Sequence, residues 1–428
     1  MQGVCKIMSN LNSTPAGERV HIGLFGRRNA GKSSLINALT GQRLAVVADV
    51  PGTTTDPVLK AMELLPLGPV LMMDTAGIDD TGELGALRVQ KSLQILNKTD
   101  IAVMVIDSSI GFTEEDIQML KRIQDKGLSC VIVFTKADMQ EQTRPEETAS
   151  CIPAPDEKTG LKYSVPESIP QITVSATTGK NIHELKELLA HLVPQKKTPY
   201  PICSDLLKAG DTVLLVTPID SAAPKGRLIL PQQQTIRDII DAGASALVTR
   251  ENNVRQALEN LMAPPAMVIT DSQAFEKVSL AVPENIKLTS FSILMARHKG
   301  NLEQAVLGAA ALKTLKDGDH VLISEGCTHH RQCGDIGTEK LPKWLREYTG
   351  KELKFSWTSG TEFPAELSVY RLIVHCGGCM LNEREMQYRY RCAADQQIPM
   401  TNYGLCIACT HGILKRSLSV FPRLAAKL

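Results

Sequence analysis

Arg19-Val-His-Ile-Gly-Leu-Phe-Gly-Arg-Arg-Asn-Ala-Gly-Lys-Ser-Ser-Leu-Ile-Asn-Ala-Leu-Thr40 decides the fold of the N-terminal part of this chain. Arg19–Phe25 reads as a short buried strand. Gly26–Ser33 is a G-x-x-x-x-G-K-S loop. Ser34–Thr40 has helical spacing and stops at Gly41. Strand, glycine-rich loop and helix in that order form the setting a phosphate-binding loop needs. The backbone N–H groups of Asn29, Ala30, Gly31, Lys32, Ser33 and Ser34, with the helix N-terminus behind them, suit a polyphosphate. Lys32 reaches the β- and γ-phosphates, and the Ser33 hydroxyl is a Mg2+ ligand.

The partners of such a loop follow in order. Pro51-Gly-Thr-Thr-Thr-Asp56 offers hydroxyls at Thr53 and Thr54, and Thr54 is the expected second protein ligand of Mg2+. Val70–Met73 reads as a strand ending in Asp74-Thr-Ala-Gly77. Asp74 is placed to hold Mg2+ through water, and the Gly77 N–H to meet the γ-phosphate. Cys130–Phe134 leads into Thr135-Lys136-Ala137-Asp138. The Asp138 carboxylate can accept from guanine N1–H and N2–H, which adenine cannot match, so GTP and GDP are the expected ligands. Ser175 and Ala176 supply a last loop over the base.

Composition bounds the rest. The chain has 428 residues, enough for two or three domains. Lys plus Arg number 47 against 46 Asp plus Glu, a net charge of +1. No basic stripe appears and aromatic residues make up only 4%, so nucleic-acid binding has no support. No apolar run is long enough to span a membrane, and the N-terminal stretch has no apolar signal core. A cytoplasmic protein is expected. In that setting eleven cysteines point to reduced thiols and metal ligation rather than disulfides.

The domains are read as 1–198, the GTPase domain; 199–275, a small α/β domain suited to homodimerisation; and 276–428, a third α/β domain. The middle segment alternates strand-like Thr212–Val216, Ala246–Thr249 and Ala266–Ile269 with two helical runs, and its core would be thin alone. Pairing of its sheet with a second copy would cover the edge.

The third domain carries the metal chemistry. Cys327-Thr-His-His330 follows the strand-like run His320–Ser324, and His375-Cys-Gly-Gly-Cys379 follows Tyr370–Val374. If the runs are parallel strands, both sets of ligands leave the carboxyl edge of one sheet, where open α/β folds keep their sites. Cys327, Cys376 and Cys379 with His329 or His375 suit tetrahedral zinc or an iron–sulfur cluster, and ligand chemistry alone leaves both open. Cys333 lies in the same loop as Cys327. Cys406-Ile-Ala-Cys409 with His411 is a second C-x-x-C, read as structural thiols at a helix start.

The five nucleotide boxes resemble those of translation-factor-type small GTPases. Thr135 stands where the pattern has Asn. Ile78 stands where Ras-type enzymes keep a water-orienting Gln. Asn29 resembles the phosphate-loop Asn of GTPases that use K+ in place of an arginine finger. Lys32, Asn29 and Gly77 are thus the catalytic candidates. The whole chain, with C-x-H…H-C-x-x-C at Cys327, His329, His375, Cys376 and Cys379, resembles the FeFe-hydrogenase maturation GTPases, the HydF family. The runs Thr217–Asp220, Ala223–Pro231 and Thr235–Asp238 belong to that resemblance. It implies a P-loop GTPase domain, a dimerisation domain and a domain binding a 4Fe–4S cluster through the three cysteines, with His329 or His375 a candidate at the fourth iron. It also implies a scaffold and carrier role. The cargo is the two-iron precursor of the hydrogenase active site, the suppliers are two radical-SAM maturases, and the recipient is the apo FeFe-hydrogenase. A regulatory GTPase of ribosome or tRNA processing with a structural zinc domain is the alternative; a metal-insertion GTPase such as a nickel chaperone is another.

Asn29 and Ile78 generate a first prediction. A cation at Asn29 would neutralise charge developing between the β- and γ-phosphates. GTP hydrolysis should therefore fall when K+ is replaced by Na+, and should fall in Asn29→Ala. Equal rates in the two salts would contradict the cation reading.

Overall fold

The computed structural model describes residues 14–41, 58–78, 92–138, 165–166, 168–194, 200–218, 228–326, 335–360 and 362–426. The chain divides into two compact units, Met1–Lys197 and Thr198–Leu428.

The first unit is built on a six-stranded sheet. Its strands are β1 (Val20–Phe25), β2 (Val58–Leu64), β3 (Gly68–Asp74), β4 (Ile101–Asp107), β5 (Ser129–Thr135) and β6 (Gln171–Thr173), in the order β2-β3-β1-β4-β5-β6. Only β2 runs antiparallel to its neighbour; the other pairings are parallel. The sequence explains the difference. All seven residues of β4, Ile-Ala-Val-Met-Val-Ile-Asp, are buried, as a strand covered on both faces must be. Along β2, half-buried residues alternate with exposed ones, the pattern of an edge strand with one wet face. Helix Lys32–Thr40 follows β1 and packs Leu35, Ile36 and Leu39 into the core on one face of the sheet.

The second unit holds two four-stranded sheets. One comprises β7 (Thr212–Val216), β8 (Ser245–Thr249), β9 (Met267–Thr270) and β10 (Leu288–Ser290) in the order β10-β9-β7-β8. The other comprises β11 (His320–Ser324), β12 (Lys354–Thr358), β13 (Leu372–His375) and β14 (Met400–Asn402) in the order β12-β11-β13-β14. Every pairing in both is parallel. The middle sheet takes its fourth strand from beyond residue 275, so it reaches further along the chain than the 199–275 reading. Its core does not stand alone. Leu214, Val216 and Val268 of the middle sheet share one apolar cluster with Val321 and Ile373 of the next. Helix Phe291–Lys299 joins them, with Ile293 and Ala296 facing that cluster and Phe291, Leu294 and Met295 facing a smaller one.

Helix Leu302–Ala310 packs closely against β14. A Cβ built on Gly308 would lie 2.1 Å from the Met400 carbonyl oxygen and 3.0 Å from the Thr401 nitrogen. Backbone cannot yield as a flexible side chain does. Gly308→Ala should cost about 1–3 kcal/mol through overpacking. Thermal unfolding should show a lowered transition for the second unit, with the nucleotide-stabilised transition of the first unchanged. An unchanged profile would contradict the packing.

Candidate functional site

Two sites emerge, one in each unit. In the first, the phosphate loop turns between β1 and its helix. Asn29 is exposed in the left-handed region with φ of 60°, and Gly31 at φ of 92° forms the N-cap. Lys32 Nζ donates to the carbonyls of Gly26 and Arg27, 2.7 Å from each, so the ammonium lies over the loop. Ala30 is buried, and Ser34 opens the helix at half-burial.

Ser33 Oγ donates to Asp74 Oδ2 at 2.6 Å. The other carboxylate oxygen, Asp74 Oδ1, is buried without a hydrogen-bond partner. Burial raises the Asp74 carboxyl above its ordinary value, against the opposing pull of the Ser33 hydrogen bond and the Lys32 charge. A buried, unsatisfied carboxylate oxygen beside a serine hydroxyl fits a hard divalent cation, and Ser33 and Asp74 are the described residues that would hold Mg2+. Thr53 and Thr54 lie outside the described residues. Gly77 closes the strand β3 turn, and the next residue, Ile78, donates its N–H to the Gly26 carbonyl at 3.4 Å. The Ile78 side chain packs against the apolar core, so this position presents no polar group to a water.

At the base end, Lys136 has φ of 60° and its ammonium pairs with Asp107 Oδ2 at 2.6 Å. Ser175 Oγ donates to Asp138 Oδ1 at 2.7 Å, fixing the carboxylate beside the Ser175-Ala176 loop. The Thr135 hydroxyl is engaged by backbone carbonyls. Its Oγ1 lies 2.6 Å from the Ala30 carbonyl and 3.1 Å from that of Ile106, so it ties the base loop to the phosphate loop.

In the second unit, β11 and β13 are parallel neighbours with Ser324 opposite His375. The chain therefore leaves the same edge twice, toward residue 327 and toward Cys376. Gly326 N–H donates to Cys376 Sγ at 3.0 Å, and Gly378 N–H adds a longer contact at 3.4 Å. Both are backbone donors aimed at the sulfur. Gly378 sits at φ of 64°, and a Cβ there would come within 2.6 Å of Met386 Sδ. Burial raises the Cys379 thiol, while the Lys299 charge pulls it the other way. Lys299 is itself buried and donates to the carbonyls of Cys379 and Leu381. Two sulfurs, buried donors and a glycine turn fit thiolate ligation of a metal, zinc or an iron–sulfur cluster alike. Cys327, His329 and Cys333 lie outside the described residues. Among those described, no group of three metal-ligating side chains comes together.

His375 is the exception to the sequence reading. It is fully buried, Nδ1 lies 2.7 Å from the Cys376 carbonyl, and Nε2 lies 2.9 Å from an Arg389 nitrogen. Both ring nitrogens are engaged, which leaves none for iron in this arrangement. Burial first, and the Arg389 charge second, hold its pKa down at about 3. Cys406 and Cys409 are buried within helix Tyr403–Thr410, and burial pushes the Cys406 thiol well up. That matches inert structural thiols.

Family models match stretches within each unit. The hydrogen maturase F dimerization domain model matches residues 202–300, and the hydrogen maturase F tetramerization domain model matches residues 303–420. The chain belongs to the HydF family of hydrogenase-maturation GTPases. Models of the 50S ribosome-binding GTPase and of the elongation factor Tu GTP-binding domain match residues 21–136 and 88–195. GTPase Der of Wolinella succinogenes is 34% identical over 175 residues, covering 40% of this chain and 35% of that protein. The tRNA modification GTPase MnmE of Clostridioides difficile is 33% identical over 171 residues, covering 40% of this chain and 34% of that protein. The chain thus spans about a third of the length of these curated relatives. A solved structure of Era with MgGDPNP and part of 16S ribosomal RNA aligns at 18% identity and a TM-score of 0.33, over 54% of this chain and 91% of that one. Cys327, Cys376 and Cys379 all fall within the stretch that matches the tetramerization domain. No helix among the described residues is long and apolar enough to cross a membrane.

Thr135 generates the prediction for this site. Thr135→Val keeps the shape and removes the hydroxyl that ties the two loops. The change should cost about 1 kcal/mol of nucleotide binding, or about fivefold in affinity. Thr135→Ser should stay near wild type. Titration with a fluorescent GDP analogue checks this, and equal affinity in Thr135→Val would contradict the tie.

Proposed function

We propose that this chain is a GTP-hydrolysing scaffold and carrier for FeFe-hydrogenase maturation. Lys32, Asn29 and Gly77 act on the γ-phosphate, with Mg2+ on Ser33, Thr54 and Asp74 and with K+ as the stimulating cation. Cys327, Cys376 and Cys379 hold a 4Fe–4S cluster, which supplies an iron site for the two-iron precursor. His329 remains the histidine candidate at the fourth iron, since both nitrogens of His375 are engaged. The precursor comes from radical-SAM maturases and passes to apo FeFe-hydrogenase in the cytoplasm.

The observation that carries this reading is the Gly326 N–H bond to Cys376 Sγ at 3.0 Å, at the shared edge of β11 and β13. It supports convergence of the Cys327 loop on the H-C-x-x-C turn. The ribosome- or tRNA-directed alternative draws on Der and MnmE, whose likeness covers only 40% of the chain. A homodimer through β8 fits the same reading. Among the described residues β8 pairs only with β7, and it exposes Leu247 and Val248. An apolar open edge is a template for a second strand.

The test is iron content after anaerobic purification. Ala at Cys327, Cys376 or Cys379 should remove most iron and all maturation of apo-hydrogenase. Ala at Cys333, Cys406 or Cys409 should leave both near wild type. Lys32→Ala should abolish GTP hydrolysis and keep the iron. Loss of iron in Cys333→Ala alone would favour a four-thiolate site and contradict the three-cysteine reading.

A further inference from the structure

Arg389 lies within helix Glu383–Asp395 and is completely buried. A buried guanidinium is costly unless its donors are satisfied. Here they are. Nε and one terminal nitrogen donate to Glu385 Oε1, each at 3.0 Å. That terminal nitrogen also donates to the Gly360 carbonyl at 2.8 Å. The other terminal nitrogen donates to Ser324 Oγ at 3.2 Å and meets His375 Nε2 at 2.9 Å. The guanidinium also stacks over the Phe363 ring, 5.1 Å from its centroid. One side chain thus links the last residue of β11, the last residue of β13 and the chain after β12.

The contact with His375 fixes more than a position. Arginine has donors and no acceptor, so His375 Nε2 must be the acceptor. A neutral ring then carries its proton on Nδ1, and Nδ1–H donates to the Cys376 carbonyl at 2.7 Å. The Cys376 N–H is meanwhile bound to the Ser324 carbonyl at 2.9 Å. Both backbone polar groups of Cys376 are held, one by β11 and one by the Arg389–His375 pair. Its sulfur is left facing Gly326 N–H.

We propose that Arg389 is a positioning residue for the cluster-binding turn, acting through His375, and that His375 serves as its Nδ1–H relay rather than as an iron ligand. The proposal rests on the iron–sulfur reading given above. Outer hydrogen bonds of this kind orient ligands, and losing one typically weakens metal holding about 10–100-fold.

The experiment has two arms that fail separately. The first needs no iron. In 15N-histidine-labelled apo protein, long-range 1H–15N NMR, with His375→Asn used for assignment, should find His375 protonated on Nδ1 and bare on Nε2. An Nε2–H tautomer in the wild-type chain would overturn the proposal. The second arm uses the iron-loaded protein. Arg389→Gln should release iron to a chelator about tenfold faster than wild type, with an altered EPR line shape, while circular dichroism stays native. Arg389→Lys should recover part of this, because one ammonium can donate to Nε2 but cannot reproduce the fork. If Arg389→Gln does not fold, Glu385→Gln, which loosens the arginine and leaves it charged, should give the same direction of change. Iron release and line shape at wild-type values in folded Arg389→Gln would overturn the proposal. Loss of a histidine-nitrogen coupling from the cluster in His375→Asn would also overturn it. A wild-type chain that takes up no iron would instead contradict the iron–sulfur reading, with the tautomer still deciding the relay.

Discussion

The second unit depends on one pairing, β11 against β13 in parallel with Ser324 opposite His375. Parallel neighbours must leave the sheet at the same edge, and here each exit leads into half of a cysteine motif. Val321, Leu322, Ile323, Leu372, Ile373 and Val374 are all fully buried, as parallel strands covered on both faces must be. The Gly326 N–H bond to Cys376 Sγ follows from the register, since it spans the two exits. Lys299 and Arg389 then secure the turn from two sides, one on the Cys379 carbonyl and one through His375.

The first unit follows the same logic with a different ligand. Its site also lies beyond the carboxyl ends of parallel strands, at β1, β3 and β5. The Ser33–Asp74 pair and the unsatisfied Asp74 Oδ1 place cation-binding oxygens beside the phosphate loop. The Thr135 hydroxyl on the Ala30 carbonyl ties the base loop to the phosphate loop. Asn is expected at that position, and a shorter side chain with one hydroxyl performs the tie to the phosphate loop.

Much of this was legible because the signals are local. The run Arg19–Thr40 carries strand, loop and helix together, and β11 occupies the 320–324 run read from its apolar residues. The C-x-x-C at Cys406 could be assigned to a helix from its surroundings. Other features were hidden for physical reasons. Strand β12, Lys-Phe-Ser-Trp-Thr, is an edge strand of mixed polarity and gives no apolar run. The shared core of the second unit joins residues about a hundred positions apart, such as Leu214 and Val321, beyond the reach of periodicity. His375 reads as a ligand because it adjoins Cys376, and nothing in the sequence points to its hydrogen-bond partner fourteen residues on. Residue type alone does not mark Arg389 as buried, since arginine is mostly exposed. Its signal was available in the helix spacing. It falls among Met386, Tyr390 and Ala393, all buried, and four residues after Glu385.

The central claim is that the shared edge of β11 and β13 holds an iron–sulfur cluster on three cysteines. Iron, acid-labile sulfide and zinc measured together on the anaerobically purified full chain test it most directly. The account predicts about four iron and four sulfide per chain, a brown solution and negligible zinc. One zinc per chain, no sulfide and a colourless solution would contradict it.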